Sequence, residues 1–154
     1  MKKRIWNKVV SIFTAILLVV GLVPNTTITA LAAETNIVYV GGVALTGSSG
    51  SITYATTNEN GEVITEGATA DNYNIKWDGS TLTLRNATIK ESVSMDTSTL
   101  IAGAAIGVLN QSGDANLTIT LEGDNTIAEV GKGIYVLASS TGGATLTITG
   151  GDIS

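Results

Sequence analysis

The chain has no cysteine and no histidine, and its single proline is Pro24. Without cysteine there are no disulfide staples, no thiolate chemistry and no N-terminal cysteine to carry a lipid. Without histidine, the Ser-His-Asp and Cys-His catalytic sets are excluded and the usual zinc sites lose their ligands. Aromatic residues make up 5% of the chain, so any core has to be built largely from aliphatic side chains. Basic residues are few as well, eight against thirteen acidic ones. Four of the eight, Lys2, Lys3, Arg4 and Lys8, crowd into the opening, and every acidic residue lies at position 34 or later. Downstream of residue 33, Lys76, Arg85, Lys90 and Lys132 therefore face thirteen acids, a net charge of −9. Such a surface repels phosphate backbones and has no basic stripe, so nucleic acid is not an expected partner.

The opening reads as an address. "MKKRIWNK" is followed by the apolar run "VVSIFTAILLVVGLV" over residues 9–23 and then by "ALAAE", whose small residues suit signal peptidase. The run is shorter than the roughly 20 residues that cross a bilayer, which favours a cleaved signal over a retained anchor. Residues 1–33 are thus expected to be a helical signal peptide cut after Ala32 or Ala33. Membrane contact is then limited to this segment before cleavage, and the mature chain is secreted or held at the cell surface.

About 120 remaining residues are enough for one domain with a real core. Threonine and branched aliphatics suit pleated surfaces, and no stretch after position 34 carries a convincing 3.6-residue period. Residues 34–72 read as a small β segment or cap of short strands broken by glycine pairs and a "GSSGS" loop. Asn60-Gly61 is a type I′ turn signal, although a two-residue loop there would set Glu59 opposite Glu62. Asp78-Gly79 is a better one. A two-residue loop at that point pairs Trp77 with Ser80, Ile75 with Leu82 and Tyr73 with Leu84. It gathers Tyr73, Ile75, Trp77, Leu82 and Leu84 on one face and leaves Asn74, Lys76, Thr81 and Thr83 on the other.

From residue 73 the chain repeats itself. "TLTLRNATI" at 81–89 returns as "NLTITLEGDNTI" at 116–127 and as "TLTITGGDI" at 145–153, while "AIGVL" at 105–109 returns as "GIYVL" at 133–137. Ile106 to Ile134 and Leu117 to Leu146 advance by nearly the same step, so the repeating unit holds at least two strands. A period of this length marks a solenoid, whose units bury their apolar faces only by stacking. Short strands with polar or glycine-rich corners predict a parallel β-helix over 73–154, with Leu82, Leu117 and Leu146 stacked inside and Ile106 over Ile134. An antiparallel sandwich is the alternative. The phrase "TITGGDIS" stops in mid-pattern without a polar cap, which reads as a truncated solenoid.

The chemistry left to such a chain belongs to Asp, Glu, Lys, Arg and Tyr, and no catalytic set is recognisable. Aligned coils bring Glu122, Asp124 and Asp152 to one corner. That corner reads first as a solvated turn, with calcium as the cation it would take if it bound one. No cofactor is required. Tyr135, between Ile134 and Val136, is expected to point outward beside Gly107 and to hint at a contact surface.

The phrases "YNIKWDGSTLTLRNATI", "LTITLEGDNTI" and "GIYVLASSTGGATLTITG" resemble the repeat-rich extracellular proteins of clostridia and related Gram-positive bacteria. These are pectate-lyase-like right-handed parallel β-helices, often described as carbohydrate-binding. The resemblance implies binding of plant or host glycans, some of it calcium-dependent, and assigns no individual residue. The expected function is a non-catalytic glycan-binding or adhesive module. A polysaccharide lyase or hydrolase fragment, or a structural spacer in a larger surface protein, are the alternatives.

Overall fold

The computed structural model describes residues 36–47 and 50–154. The signal segment and its cleavage at Ala32 or Ala33 lie outside the described residues. Ala33–Ser154 form one compact unit.

The described residues form strands and no helix. These are β1 (Asn36–Val40), β2 (Val43–Gly47), β3 (Thr53–Thr57), β4 (Val63–Ile64), β5 (Ile75–Trp77), β6 (Thr81–Arg85), β7 (Thr88–Ile89), β8 (Ala104–Leu109), β9 (Ala115–Ile127), β10 (Lys132–Leu137) and β11 (Ala144–Ile153). They make two mixed sheets. One runs β10-β8-β1-β2; the other runs β11-β9-β6-β5-β3-β4, with β7 also paired to β9. Pairings that involve β1 to β5 are antiparallel, whereas β6 with β9, β7 with β9, β8 with β10 and β9 with β11 are parallel. The segment over 36–72 is therefore built into the same sheets as the later strands.

One apolar cluster joins the two sheets. Val38, Val40, Leu45 and Ile106 enter it from the four-stranded sheet, and Ile75, Trp77, Leu82, Leu84, Leu117, Ile119 and Leu121 from the other. Each fully buried aliphatic side chain contributes about 1.5–3 kcal/mol. Along the parallel ladders, like residues lie over one another: Ile106 pairs with Ile134, Leu117 with Leu146, and Ile119 with Ile148. Leu82 departs from the expected column. It pairs with Ile119, and Leu84 with Leu121, two residues further along β9 than anticipated. A two-residue slip leaves every side chain on its own face, so apolar alternation cannot exclude it. Polar contacts at the corner fix it instead: Asn86 N donates to Glu122 O at 3.0 Å, and Asp124 N donates to Asn86 Oδ1 at 3.1 Å.

Both expected two-residue turns are longer than anticipated. Trp77 pairs with Leu82 and Ile75 with Leu84, so four residues, Asp78 to Thr81, separate the last paired positions of β5 and β6. The Asp78 carboxylate organises it by accepting from Ser80 N, Ser80 Oγ and Thr81 N at 2.9, 2.8 and 2.7 Å. Such side-chain capture of backbone donors is the habit of aspartate in turns. Likewise Thr57 pairs with Val63, and Asn58 Oδ1 accepts from Asn60 N and Glu62 N, which removes the predicted opposition of Glu59 and Glu62. The two-residue loop lies at Gly41-Gly42, where Val40 pairs with Val43 and both glycines have positive φ, 55° and 79°.

The two ends of the stack differ. At one end β2 is covered in part by the next strand, with Thr53 Oγ1 donating to Thr46 O at 2.5 Å. At the other end β10 and β11 are the outermost strands of their sheets. There Leu146 and Ile148 remain 43% exposed, although their partners Leu117 and Ile119 are buried.

Candidate functional site

The seven-stranded sheet turns one face to the core and the other outward, and the outward face carries an ordered row. Tyr54 pairs with Lys76, Lys76 with Thr83, Thr83 with Thr120, and Thr120 with Thr149. Each alternates along its strand with a core residue, as a pleated strand requires. Thr83 is 3% exposed, so the threonines of the row that reach the surface are Thr120 and Thr149, and the Thr149 hydroxyl donates to Ile119 O at 3.4 Å.

Tyr73 joins this face. Its ring centroid is 5.4 Å from that of Tyr54, the planes tilted by 43°. The Arg85 guanidinium lies 4.0 Å from the Tyr73 centroid and the Lys76 ammonium 5.9 Å from it. Arg85 also donates through Nε and Nη2 to Tyr73 O at 3.2 and 2.8 Å, so one side chain fixes both the backbone and the ring. This corrects the expectation that Tyr73 packs inward with Ile75 and Trp77. Regular pairing begins at Ile75, and strict alternation does not reach back to Tyr73. Between them Asn74 clasps β3 and β6. Its Oδ1 accepts from Thr57 N at 3.1 Å, its Nδ2 donates to Arg85 O at 3.0 Å, and its own N–H donates to Ala55 O at 3.0 Å.

The electrostatic setting sharpens the contrast. Of the four basic residues after position 33, Lys90 forms an ion pair with Glu129 at 3.1 Å, and Lys132 donates to Ala102 O while lying 4.9 Å from the Tyr135 ring centroid. Lys76 and Arg85 both border Tyr73, so half of the basic residues after position 33 sit around one tyrosine. An exposed cation–π contact contributes about 0.5–1 kcal/mol. Among the described residues neither Lys76 nor Arg85 forms an ion pair.

Asp152 lies beside Asp124 on the next strand, but Glu122 is the register partner of Arg85. All three carboxylates are exposed. Among the described residues no three acidic side chains form a group able to hold a metal ion. The corner is organised by Asn125 instead. Its side chain is 2% exposed, accepts from Ala87 N at 2.9 Å, and donates to Glu122 O, Gly123 O and Asp152 O at 3.4, 3.2 and 3.5 Å.

On the four-stranded sheet Tyr135 pairs with Gly107, which in turn pairs with Tyr39. Tyr135 is half-buried rather than openly exposed, and Gly107 is buried. The sequence pointed to Tyr135 and to the side of the sheet that holds Lys76, but not to Tyr54 or Arg85. Their only signal is the cross-strand register, which becomes readable once the pairings are known.

No protein-family model matches the chain, and no curated protein or solved structure matches it either.

Proposed function

We propose that the chain is a secreted or cell-surface, non-catalytic module that binds glycans on a parallel β-helix scaffold. The in-register parallel ladders of β6, β9 and β11, and of β8 and β10, support the coiled reading of the fold. The outward patch of Tyr54, Tyr73, Lys76 and Arg85 carries the functional reading. Tyrosine offers an apolar face with a polar tip, which suits a sugar ring that is apolar on one side and hydroxylated at its rim. The cations and the Thr120 hydroxyl supply donors to ring oxygens along the same row. A regular strand face gives an extended polymer a repeating footing that a closed pocket would not.

A polysaccharide array probed with the chain from Ala33 to Ser154 tests this. Binding should fall about tenfold or more in Tyr73→Ala and in Lys76→Ala, with chelator leaving it unchanged. Silence across neutral and acidic polysaccharides, or binding by both variants equal to that of the native chain, overturns the reading.

A further inference from the structure

We propose that Asn60-Gly61 is a deamidation site gated by the turn that Asn58 builds, so that opening of the β3–β4 hairpin converts it irreversibly. Asn60 is the only asparagine of the chain followed by glycine. Glycine has no side chain to shield its backbone nitrogen, which therefore reaches the preceding side-chain amide more readily than in other pairs. In the reaction Gly61 N gives up its proton to hydroxide and bonds to Asn60 Cγ, while the Cγ–Nδ2 bond breaks and the side-chain nitrogen leaves as ammonia. Water then opens the imide ring. Attack at Cγ leaves aspartate in a normal backbone. Attack at the backbone carbonyl leaves isoaspartate, with the chain running through Cγ and one methylene longer.

The fold holds these reactants apart. Asn60 is exposed to water, whereas Gly61 is buried. Gly61 N donates to Asn58 O at 3.0 Å, and Glu59 and Asn60 between them keep negative φ. That is a type I turn, whose third residue has ψ at about 0°. Such a ψ sets the backbone nitrogen of Asn60 in line with Gly61 N across the Cα–C bond, where imide closure needs Cβ instead. Reaction therefore requires ψ to swing, and the swing breaks the bond from Gly61 N to Asn58 O. Asn58 Oδ1 opposes it by accepting from Asn60 N and Glu62 N, both at 3.0 Å. From the other side Lys90 N donates to Gly61 O at 3.0 Å. The related pair Asp78-Gly79 is protected differently: an ionised carboxylate is a poor electrophile, and donors from Ser80 and Thr81 hold it in place.

The product cannot close the gate again. A Cβ at residue 61 would lie 2.6 Å from Lys90 Cγ and 2.9 Å from Lys90 N, which leaves no slack for an added backbone methylene. Isoaspartate must therefore give up either the bond from Gly61 N to Asn58 O or the bond from Lys90 N to Gly61 O. Aspartate acts in the same direction, because its charge falls between Glu59 and Glu62 and like charges repel. Just beyond the turn Val63 is 8% exposed and pairs with Thr57, so a hairpin kept open loosens one edge of the core. Each conversion traps the opening that allowed it.

The test incubates the chain from Ala33 to Ser154 in mildly alkaline buffer and follows aspartate and isoaspartate at residue 60 by peptide mapping. The folded chain should convert at least about tenfold more slowly than the same chain in urea, because only the open population reacts. Asn58→Ala, with native circular dichroism, should remove most of that difference. Asn58→Asp keeps both acceptor bonds and should restore slow conversion. Hydrogen exchange at Gly61 N–H gives a reading that needs no variant: in low urea, exchange and conversion should rise in proportion. A folded chain that converts as fast as the chain in urea, another asparagine that converts ahead of Asn60, a folded Asn58→Ala chain as slow as the native one, or conversion that does not follow exchange overturns the proposal.

Discussion

Ile101 fills the place of the side chain that Gly107 lacks. A Cβ at residue 107 would lie 3.0 Å from Ile101 Cδ1 and 3.4 Å from its Cβ, and both residues are buried. Gly107 stands between Tyr39 and Tyr135 in the row across β1, β8 and β10, so the missing side chain opens a gap on the outer side of the sheet. The connection between β7 and β8 closes over that gap. Its other anchors are Val93, 1% exposed, and the hydrogen bonds Val93 N to Ala104 O and Gly103 N to Val93 O at 2.9 and 2.8 Å.

The paired substitutions follow from that fit. Ile101→Ala should cost about 2–4 kcal/mol, since it removes a fully buried aliphatic and leaves a void. Gly107→Val should cost about 1–3 kcal/mol through overpacking against the same side chain. Combining them should cost less than the sum, because the new valine occupies part of the vacated space. Urea unfolding of the four proteins gives the coupling, and strict additivity would remove Ile101 from the gap.

The contact between Ile101 and Gly107 also marks where the sequence stops being readable. The alternation Leu117, Ile119, Leu121 and the near-equal steps from Ile106 to Ile134 and from Leu117 to Leu146 report period and face, and the ladders pair those residues as the spacing predicts. Period does not report which strand position opposes which across a turn. Leu82 against Ile119 rather than Leu117 was decided by Asn86 and Asp124, which look like ordinary turn residues. Turn length was decided the same way, by the carboxylate of Asp78 and the amide of Asn58 capturing backbone donors. The candidate patch was half legible. Alternation places Lys76 on the outward side, whereas Tyr73 lies two residues before Ile75, where regular pairing starts to dictate direction.

The division of faces along β9 is open to a direct check. Ile119 is 0% exposed between Leu82 and Ile148, and Thr118 beside it lies on the outward side between Thr81 and Thr147. Ile119→Asp buries an unpaired charge, a penalty of several kcal/mol and a large part of any domain's stability. Thr118→Asp should change stability by less than about 1 kcal/mol. Circular dichroism and thermal unfolding of both should give an unfolded chain for the first and a near-native one for the second. Similar melting of the two would reverse the faces.

Asn125 supports a prediction with a distinctive pH dependence. Its amide answers a donor, Ala87 N, with Oδ1 and three carbonyl oxygens with Nδ2. Asn125→Asp keeps the shape but turns an ionised oxygen toward the carbonyls of Glu122 and Gly123. The buried carboxylate should have a raised pKa, because both burial and the facing carbonyls oppose its charge. Its folded value then exceeds its unfolded one, so the variant is most destabilised at neutral pH, by about 2–4 kcal/mol, and recovers as acid protonates it. Denaturation at neutral and mildly acidic pH, each relative to the native chain, checks the recovery; a constant difference would contradict the assigned donor pattern.

Asp78 should behave in the opposite sense. Burial alone would raise its pKa, but the N–H groups of Thr81 and Ser80, the Ser80 hydroxyl and the charge of Lys76 outweigh it and hold the carboxyl below its ordinary value of 3.8. A depressed folded value means that the ionised form is bound more favourably in the folded chain. The stabilisation is complete above the unfolded value and drains away as the pH falls through the folded one. Asp78→Asn retains an acceptor for the turn but has no proton to gain in that range. At neutral pH the native chain should therefore be the more stable of the two. Below about pH 4, the unfolded carboxylate range, that advantage should shrink as the aspartate protonates. Thermal unfolding of the pair from neutral pH into the acid range checks the direction, and a gap that widens on acidification would mean that Asp78 does not hold the β5–β6 turn through its charge.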